Sequence, residues 1–413
     1  MRFLFVRIDN LRWNKILIFI DPIFFINGMV FLSLTTTIPY FLLKFNASNI
    51  HISIANLFLN LGVMIPSLFF ANYVQRLKRR GKIFTNLLLI QRTSFLLYVL
   101  LIPYFSKFGD IINIYLFLVF WGVFCIFVGS YGPFYFSILD SVIPYEERGN
   151  ILGISYSVSG IISLLSSYVL NIYLTKFSFP YNFMYIFLTG ILILIMDAFL
   201  FGLIREPERS LINNSPLSLR ELMSHAKELL AEDKNFRNLI ISFLLLLIAT
   251  TSLPYHLVFI TKTFKTTSSI VSQMALISAG VNILGNLLFG RISKRYGNRI
   301  TLIVGNIIAI IGILLNLILK NFISSILCYA FIISLSNAYM LGGGLLITNI
   351  AKKDILPFYI SINTIITTIF SSLLYLLNAK IIDILGFRIL IGLGLFGSLF
   401  SLLILLRKVK EVR

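Results

Sequence analysis

Residues 302–317 contain no charged side chain, and residues 191–196 and 243–249 are apolar throughout. Stretches of this kind recur along the whole chain and limit its fold more than any other feature. About 20 apolar residues in succession are long enough to cross a bilayer as a helix. In lipid the backbone must satisfy its own hydrogen bonds, which leaves helices or a closed barrel. Barrel strands alternate apolar and polar residues, and these runs do not alternate. With 58% of 413 residues apolar, the chain holds enough hydrophobic residues for about twelve spans. Only 12% are charged, against roughly 25% in a soluble domain. The sequence therefore reads as an all-α polytopic membrane protein with twelve transmembrane helices.

The spans are placed at 16–43, 52–74, 84–105, 112–139, 150–173, 182–204, 237–260, 268–290, 300–319, 322–349, 357–380 and 386–406. An even number puts both termini on one side. The terminal segments and the loops on that side hold 26 of the 35 Lys and Arg residues, the opposite loops hold 8, and Arg92 lies within a span. Basic loops stay in the cytoplasm, so both termini are expected there, with the plasma membrane as the site. The net charge of +19 sits in these short loops. It therefore points to anionic lipid and not to nucleic acid. The basic amino terminus leads into a span too long for a cleavable signal, so the first span is expected to be retained. Cys125 and Cys328 lie within spans without metal-ligand spacing and read as small core residues.

The longest hydrophilic segment separates two halves. The expected division is a six-helix bundle over 1–204, a linker over 205–236 and a second bundle over 237–413. Ser218-Leu219-Arg220-Glu221 has the form of a capping box and would open a short amphipathic surface helix in the linker. The halves resemble one another. Thr35-Thr36-Thr37-Ile38-Pro39-Tyr40 in the first span matches Thr250-Thr251-Ser252-Leu253-Pro254-Tyr255 in the seventh, and Arg76-Leu77-Lys78-Arg79-Arg80 parallels Arg295-Tyr296-Gly297-Asn298-Arg299. Residues 154–171 and 360–378 form a looser third pair. Parallel six-helix repeats are a mark of secondary transporters.

On these residues the sequence resembles the major facilitator superfamily over essentially its whole length. That family carries Gly-x-x-x-Asp-Arg-x-Gly-Arg-(Arg/Lys) after the second span and a weaker copy after the eighth. Residues 71–80 and 290–299 occupy those places. Both keep the Arg (Arg76 and Arg295), but Gln75 and Lys294 replace the Asp. Asp140, Pro144 and Arg148-Gly149 fit the family's pattern after the fourth span. The resemblance implies two six-helix bundles, alternating access, a monomer, and a charge latch at Arg76, Asp140, Arg148 and Arg295. Arg76, Arg79 and Arg80 are available partners for Asp140, and solvated orientation charges are the alternative reading. The signatures of proton-driven drug exporters, an Arg in the fourth span and Gly-Pro in the fifth, are absent.

Ionisable groups inside a span are costly and usually functional or paired. Asp21 precedes Pro22, which is a helix-start signal, yet it could equally serve as a coupling carboxylate. Arg92 and Asp197 lie at similar depth in the third and sixth spans and are expected to pair. His256 follows Pro254 and is either a structural residue or a second coupling candidate. The resemblance places the first, fourth, seventh and tenth spans around the substrate path. Those spans supply Asn27, Thr36, Trp121, Tyr131, Tyr135, Thr251, Asn337 and Tyr339 as substrate-binding candidates. Aromatic faces with neutral hydrogen-bonding groups suit a neutral or weakly charged organic solute, with a proton as possible co-substrate. No phosphate-cradling loop supports an ATP-driven pump, and three scattered His residues make neither a metal site nor an enzyme. No cofactor is expected. The remaining alternative is a non-transporting or lipid-handling protein on the same fold.

Overall fold

The computed structural model describes residues 2–74, 76–77, 79–207, 227, 229–351 and 356–411. Twelve helices in it are long and apolar enough to cross a membrane: Asn10–Phe31, Asn49–Ser67, Arg80–Phe105, Asp110–Val142, Glu147–Lys176, Tyr181–Gly202, Lys234–Phe264, Ser269–Tyr296, Asn298–Leu319, Phe322–Ile350, Phe358–Leu385 and Phe387–Arg407. They are the first to twelfth spans below. The capping box at 218–221 and most of the surface helix lie outside the described residues. The first helix runs unbroken from Arg2 to Phe31 with Pro22 inside it, so Asp21-Pro22 does not start a helix. A proline within a helix removes one backbone bond, and packing of the long apolar flanks carries the helix through that gap.

The chain forms two units. One comprises 1–47, 61–215 and 271–276; the other comprises 48–60, 216–270 and 277–413. Within the first unit, the first span packs on the fifth and sixth, and the third packs on the fourth and sixth. Within the second unit, the seventh packs on the eleventh and twelfth, and the ninth packs on the tenth and twelfth. The two packing schemes are the same after a shift of six spans.

The repeat extends to single hydrogen bonds at the ends of the sixth and twelfth spans. In the first unit, Asn14 donates to the Arg205 carbonyl and accepts from the Arg205 amide, both at 2.9 Å. In the second, Asn235 donates to the Lys410 carbonyl at 2.7 Å and accepts from the Lys410 amide at 2.8 Å. One residue further on, an acid caps a helix in each unit. Glu206 accepts from the Gly81 amide at 3.0 Å, in the first turn of the third span. Glu411 accepts from the Asn298 and Arg299 amides at 2.9 and 3.0 Å, at the start of the ninth. A carboxylate placed on unsatisfied amides at a helix N-terminus is stabilising. Each unit thus closes on itself by tying its last segment to its first and third helices.

Candidate functional site

Four spans are interrupted, and each interruption has a local cause. The first span stops at Phe31 and restarts as the short helix Thr37–Leu43. The seventh stops at Thr250 and restarts at Leu253. Pro39 and Pro254, in the two matched sequence segments, each remove an amide near the restart. The fourth divides at Gly129-Ser130 into Asp110–Val128 and Tyr131–Val142, with Pro133 just beyond. The tenth carries a π turn over Tyr339–Gly343, a geometry frequent at functional sites. The sequence reading treats 16–43 as one span, but a break at 32–36 divides it. Side chains at the four interruptions are hydroxyl, aromatic or aliphatic, and none is charged.

In the first unit a charged cluster lies beside the fourth-span break. Asp21 of the first span is 1% exposed, and Asp197 and Arg92 are 0% and 1% exposed. Arg92 Nη2 donates to Asp197 Oδ2 at 2.7 Å, and Arg92 Nη1 donates to the Leu194 carbonyl. The Asp21 carboxylate faces Asp197 and Arg92. It accepts from the Tyr131 hydroxyl at 3.1 and 3.3 Å. Two carboxylates against one guanidinium leave one negative charge without a cationic partner unless a proton binds, and burial makes an unpaired charge costly. Tyr131 stacks on Tyr135 at 5.4 Å and lies 4.7 Å from the Phe25 ring. The buried Tyr135 hydroxyl and Thr36 Oγ1 have no hydrogen-bond partner among the described residues. They are groups a polar ligand could satisfy.

Two other candidates in this unit, Asn27 and Trp121, contact neighbouring helices. Asn27 donates to the Ile23 carbonyl at 2.7 Å and to the Ser159 carbonyl at 3.4 Å, and accepts from Ser166 at 2.9 Å. Ser155, Ser159, Ser163 and Ser167 recur every four residues on the fifth span and are buried. Small residues at that spacing let two helices approach closely. Trp121 is fully buried, stacked on Phe124 at 5.2 Å and on Phe117 at 6.1 Å.

In the second unit the candidates surround the seventh- and tenth-span interruptions. Thr251 donates to the Leu247 carbonyl at 2.7 Å and accepts from Asn378 at 3.0 Å. His256 is 1% exposed. Its Nδ1 lies 3.2 Å from the Ser252 carbonyl, and its ring meets Phe387 edge-on at 4.9 Å. Its Nε2 has no partner among the described residues. Asn337 donates to the Val281 carbonyl at 3.3 Å. Tyr339 meets Phe243 edge-on at 4.9 Å and turns its hydroxyl toward Thr367 and Asn363.

The basic loops differ from their expected pairing. Asp140 pairs with Arg148 at 2.9 Å, because the turn at Ile143-Pro144 brings the start of the fifth helix back toward the end of the fourth span. Arg148 also donates to the Asp140 and Ile143 carbonyls, both at 2.9 Å. Arg80, fully buried, pairs with Glu206 and bonds to Ser137. Arg76 is exposed, and Arg295 lies 5.2 Å from the centre of the Tyr296 ring. The Arg80–Glu206 and Glu411 contacts were missed by sequence reasoning. Their only signal is a basic-acidic pair, Arg205-Glu206 and Lys410-Glu411, just past the sixth and twelfth spans.

Residues 239–413 match the sequence model of the Major Facilitator Superfamily. No curated protein matches the sequence. Among solved structures, the fold is similar to that of the nucleoside transporter NupG, with TM-score 0.71 and 11% identity over 97% of this chain and 100% of that one. A D-xylose–proton symporter aligns with TM-score 0.67 and 15% identity over 98% of both chains. A bacterial homologue of the iron transporter ferroportin aligns with TM-score 0.68 and 11% identity, covering 96% of this chain and 98% of the other.

Proposed function

We propose that the chain is a member of the major facilitator superfamily, whose sequence model matches residues 239–413, and that it is a secondary transporter moving a small, neutral or weakly charged organic solute by alternating access. The observation that carries the reading is the set of four interruptions. They fall in the first, fourth, seventh and tenth spans, and the side chains there hydrogen-bond or stack without carrying charge. Interrupted helices in corresponding positions of two repeats are the best sequence-level pointer to a transporter's binding residues. The solute-contacting groups are drawn from Thr36, Tyr131 and Tyr135 in the first unit and from Thr251, Asn337 and Tyr339 in the second.

Coupling is assigned to Asp21, with His256 the second candidate. The two-carboxylate, one-guanidinium cluster has room in its charge balance for one proton, and a proton taken up there from one side can be released to the other. The charges Arg76, Asp140, Arg148 and Arg295 set the balance between conformations from the cytoplasmic side. The protein is read as a plasma-membrane monomer in contact with anionic lipid.

A thermal-stability panel on the purified protein in detergent tests the substrate class. It would hold nucleosides, pentoses, hexoses, amino acids and amphiphilic amines, with phosphorylated sugars and dicarboxylates as contrasts. A true ligand at a hundredfold over its dissociation constant stabilises by about 2.7 kcal/mol. Hits confined to neutral or weakly charged solutes support the reading. Stabilisation by phosphorylated or dicarboxylate compounds alone overturns it, and stabilisation by lipid alone favours the lipid-handling alternative.

A further inference from the structure

The fourth and tenth spans are interrupted at corresponding places, and a tyrosine adjoins each interruption. Tyr131 is the first residue after the Gly129-Ser130 break, and Tyr339 is the first residue of the π turn. Both hydroxyls reach a neighbouring helix of their own unit. The partners differ in kind. Tyr131 donates to a carboxylate, Asp21, whereas Tyr339 faces the neutral side chains of Thr367 and Asn363. A hydrogen bond to a carboxylate is roughly twice as strong as one between neutral groups. Adding a proton to Asp21 removes that difference, and adding one elsewhere leaves the Tyr339 contact as it was.

We propose that Tyr131 is a positioning residue that makes the fourth-span break respond to the proton on Asp21, while the matching interruption in the tenth span does not respond. The proposal rests on the reading of Asp21 as the proton-binding carboxylate. With Asp21 charged, the Tyr131 hydroxyl holds the inner segment of the fourth span, Tyr131–Val142, against the first span. With Asp21 neutral, that hold weakens at the one point where the helix is already broken. At the break Pro133 has no amide to donate, the Ser130 hydroxyl bonds back to the Phe127 carbonyl at 2.7 Å, and the Phe134 amide donates to the Ser130 carbonyl at 3.2 Å, so Gly129-Ser130 is the point about which the segment can turn. The other charged or titratable groups facing Asp21 are Arg92 of the third span, Asp197 of the sixth, Tyr135 of the fourth and Tyr156 of the fifth. Of these, only Tyr135 lies with Tyr131 on the segment that would move, and the Tyr135 hydroxyl has no partner among the described residues.

The test reads the bend of the fourth span directly. Val119 and Phe136 flank the break and are 63% and 64% exposed, and their positions are ~25 Å apart along a helix. Spin labels on Val119→Cys and Phe136→Cys in the full-length protein report that distance by pulsed electron resonance. Cys125 and Cys328 are both fully buried, and the protein without introduced cysteines serves as the labelling control. Labels on Ile323→Cys and Leu345→Cys report the tenth span in the same way. Infrared difference spectra follow the protonated carboxyl of Asp21, assigned by its loss in Asp21→Asn.

The expected result is a shift of the fourth-span distance between acid and alkaline pH and none in the tenth. Asp21→Asn should hold the acid distribution at both pH values. Tyr131→Phe should abolish the shift while the Asp21 carboxyl band still titrates. A shift that survives in Tyr131→Phe overturns the role of Tyr131. A titrating Asp21 band with no shift in the parent protein overturns the hinge and leaves the proton site standing. Absence of any Asp21 band over the pH range overturns the proton reading itself. Tyr131→Phe decides the hinge alone should Asp21→Asn fail to fold.

Discussion

The residues that most constrain this protein are the few charges it buries. Arg92 and Asp197 are each at most 1% exposed and hydrogen-bonded to one another. The pair adds little net stability, because desolvating two ions offsets their attraction, but removing one partner strands the other. Replacing Arg92 by Met should therefore cost about 3–5 kcal/mol, and more of the cost should fall on Asp21 and Asp197 together than on either alone. The double change Arg92→Met with Asp197→Leu should recover most of it. Chemical unfolding in detergent measures both, and a double variant no more stable than the single would contradict this account. The sequence singled out these residues because ionisable groups within apolar runs are rare. It did not reveal that Tyr131 completes the cluster, since a tyrosine in a membrane span is ordinary. Its role comes from where the fourth span breaks.

Among elements, the interruptions and the terminal clasps behave differently as sequence signals. The matched Thr-Thr-Thr-Ile-Pro-Tyr and Thr-Thr-Ser-Leu-Pro-Tyr segments could be read as a repeat, and the proline in each explains why the helix stops nearby. The fourth-span break had a weaker signal. Gly129 lies so close to the second span that an added Cβ would strike the Gly62 carbonyl, and a Cβ on Gly62 would meet the Cys125 backbone. The sequence marks Gly129 as a place where the fourth span can bend or be closely approached, but not which of the two happens or which helix comes near. The clasps were illegible for the same reason, because Asn14, Asn235, Glu206 and Glu411 are surface-type residues whose partners are distant in the chain. Removing the Glu411 cap should destabilise the start of the ninth span. Glu411→Ala should cost about 1 kcal/mol and raise amide hydrogen exchange at Asn298 and Arg299. Glu411→Asp should lose less. Unchanged exchange at those two amides in Glu411→Ala would remove the cap from the account.

At the scale of the whole molecule, the charge distribution orients the chain and the repeat organises it. The excess of Lys and Arg on the loops that share a side with the termini predicts that a carboxyl-terminal tag is shielded from protease in intact cells and cut after permeabilisation. Cleavage in intact cells would reverse the orientation. The sequence by itself determined the helical membrane class, the number of spans, the two-fold repeat and the buried charges that lie within spans, Asp21, Arg92 and Asp197. Each of these follows from local hydropathy and spacing, which lipid enforces without reference to distant contacts. Only the tertiary structure decided where the fourth span breaks, which side chain meets Asp21, that Asp140 pairs with Arg148, and that each unit is tied by an Asn and a Glu. Those outcomes depend on backbone approach and on hydrogen bonds between residues from about 60 to 200 positions apart, apart from the short-range Asp140–Arg148 pair, which depends on one turn.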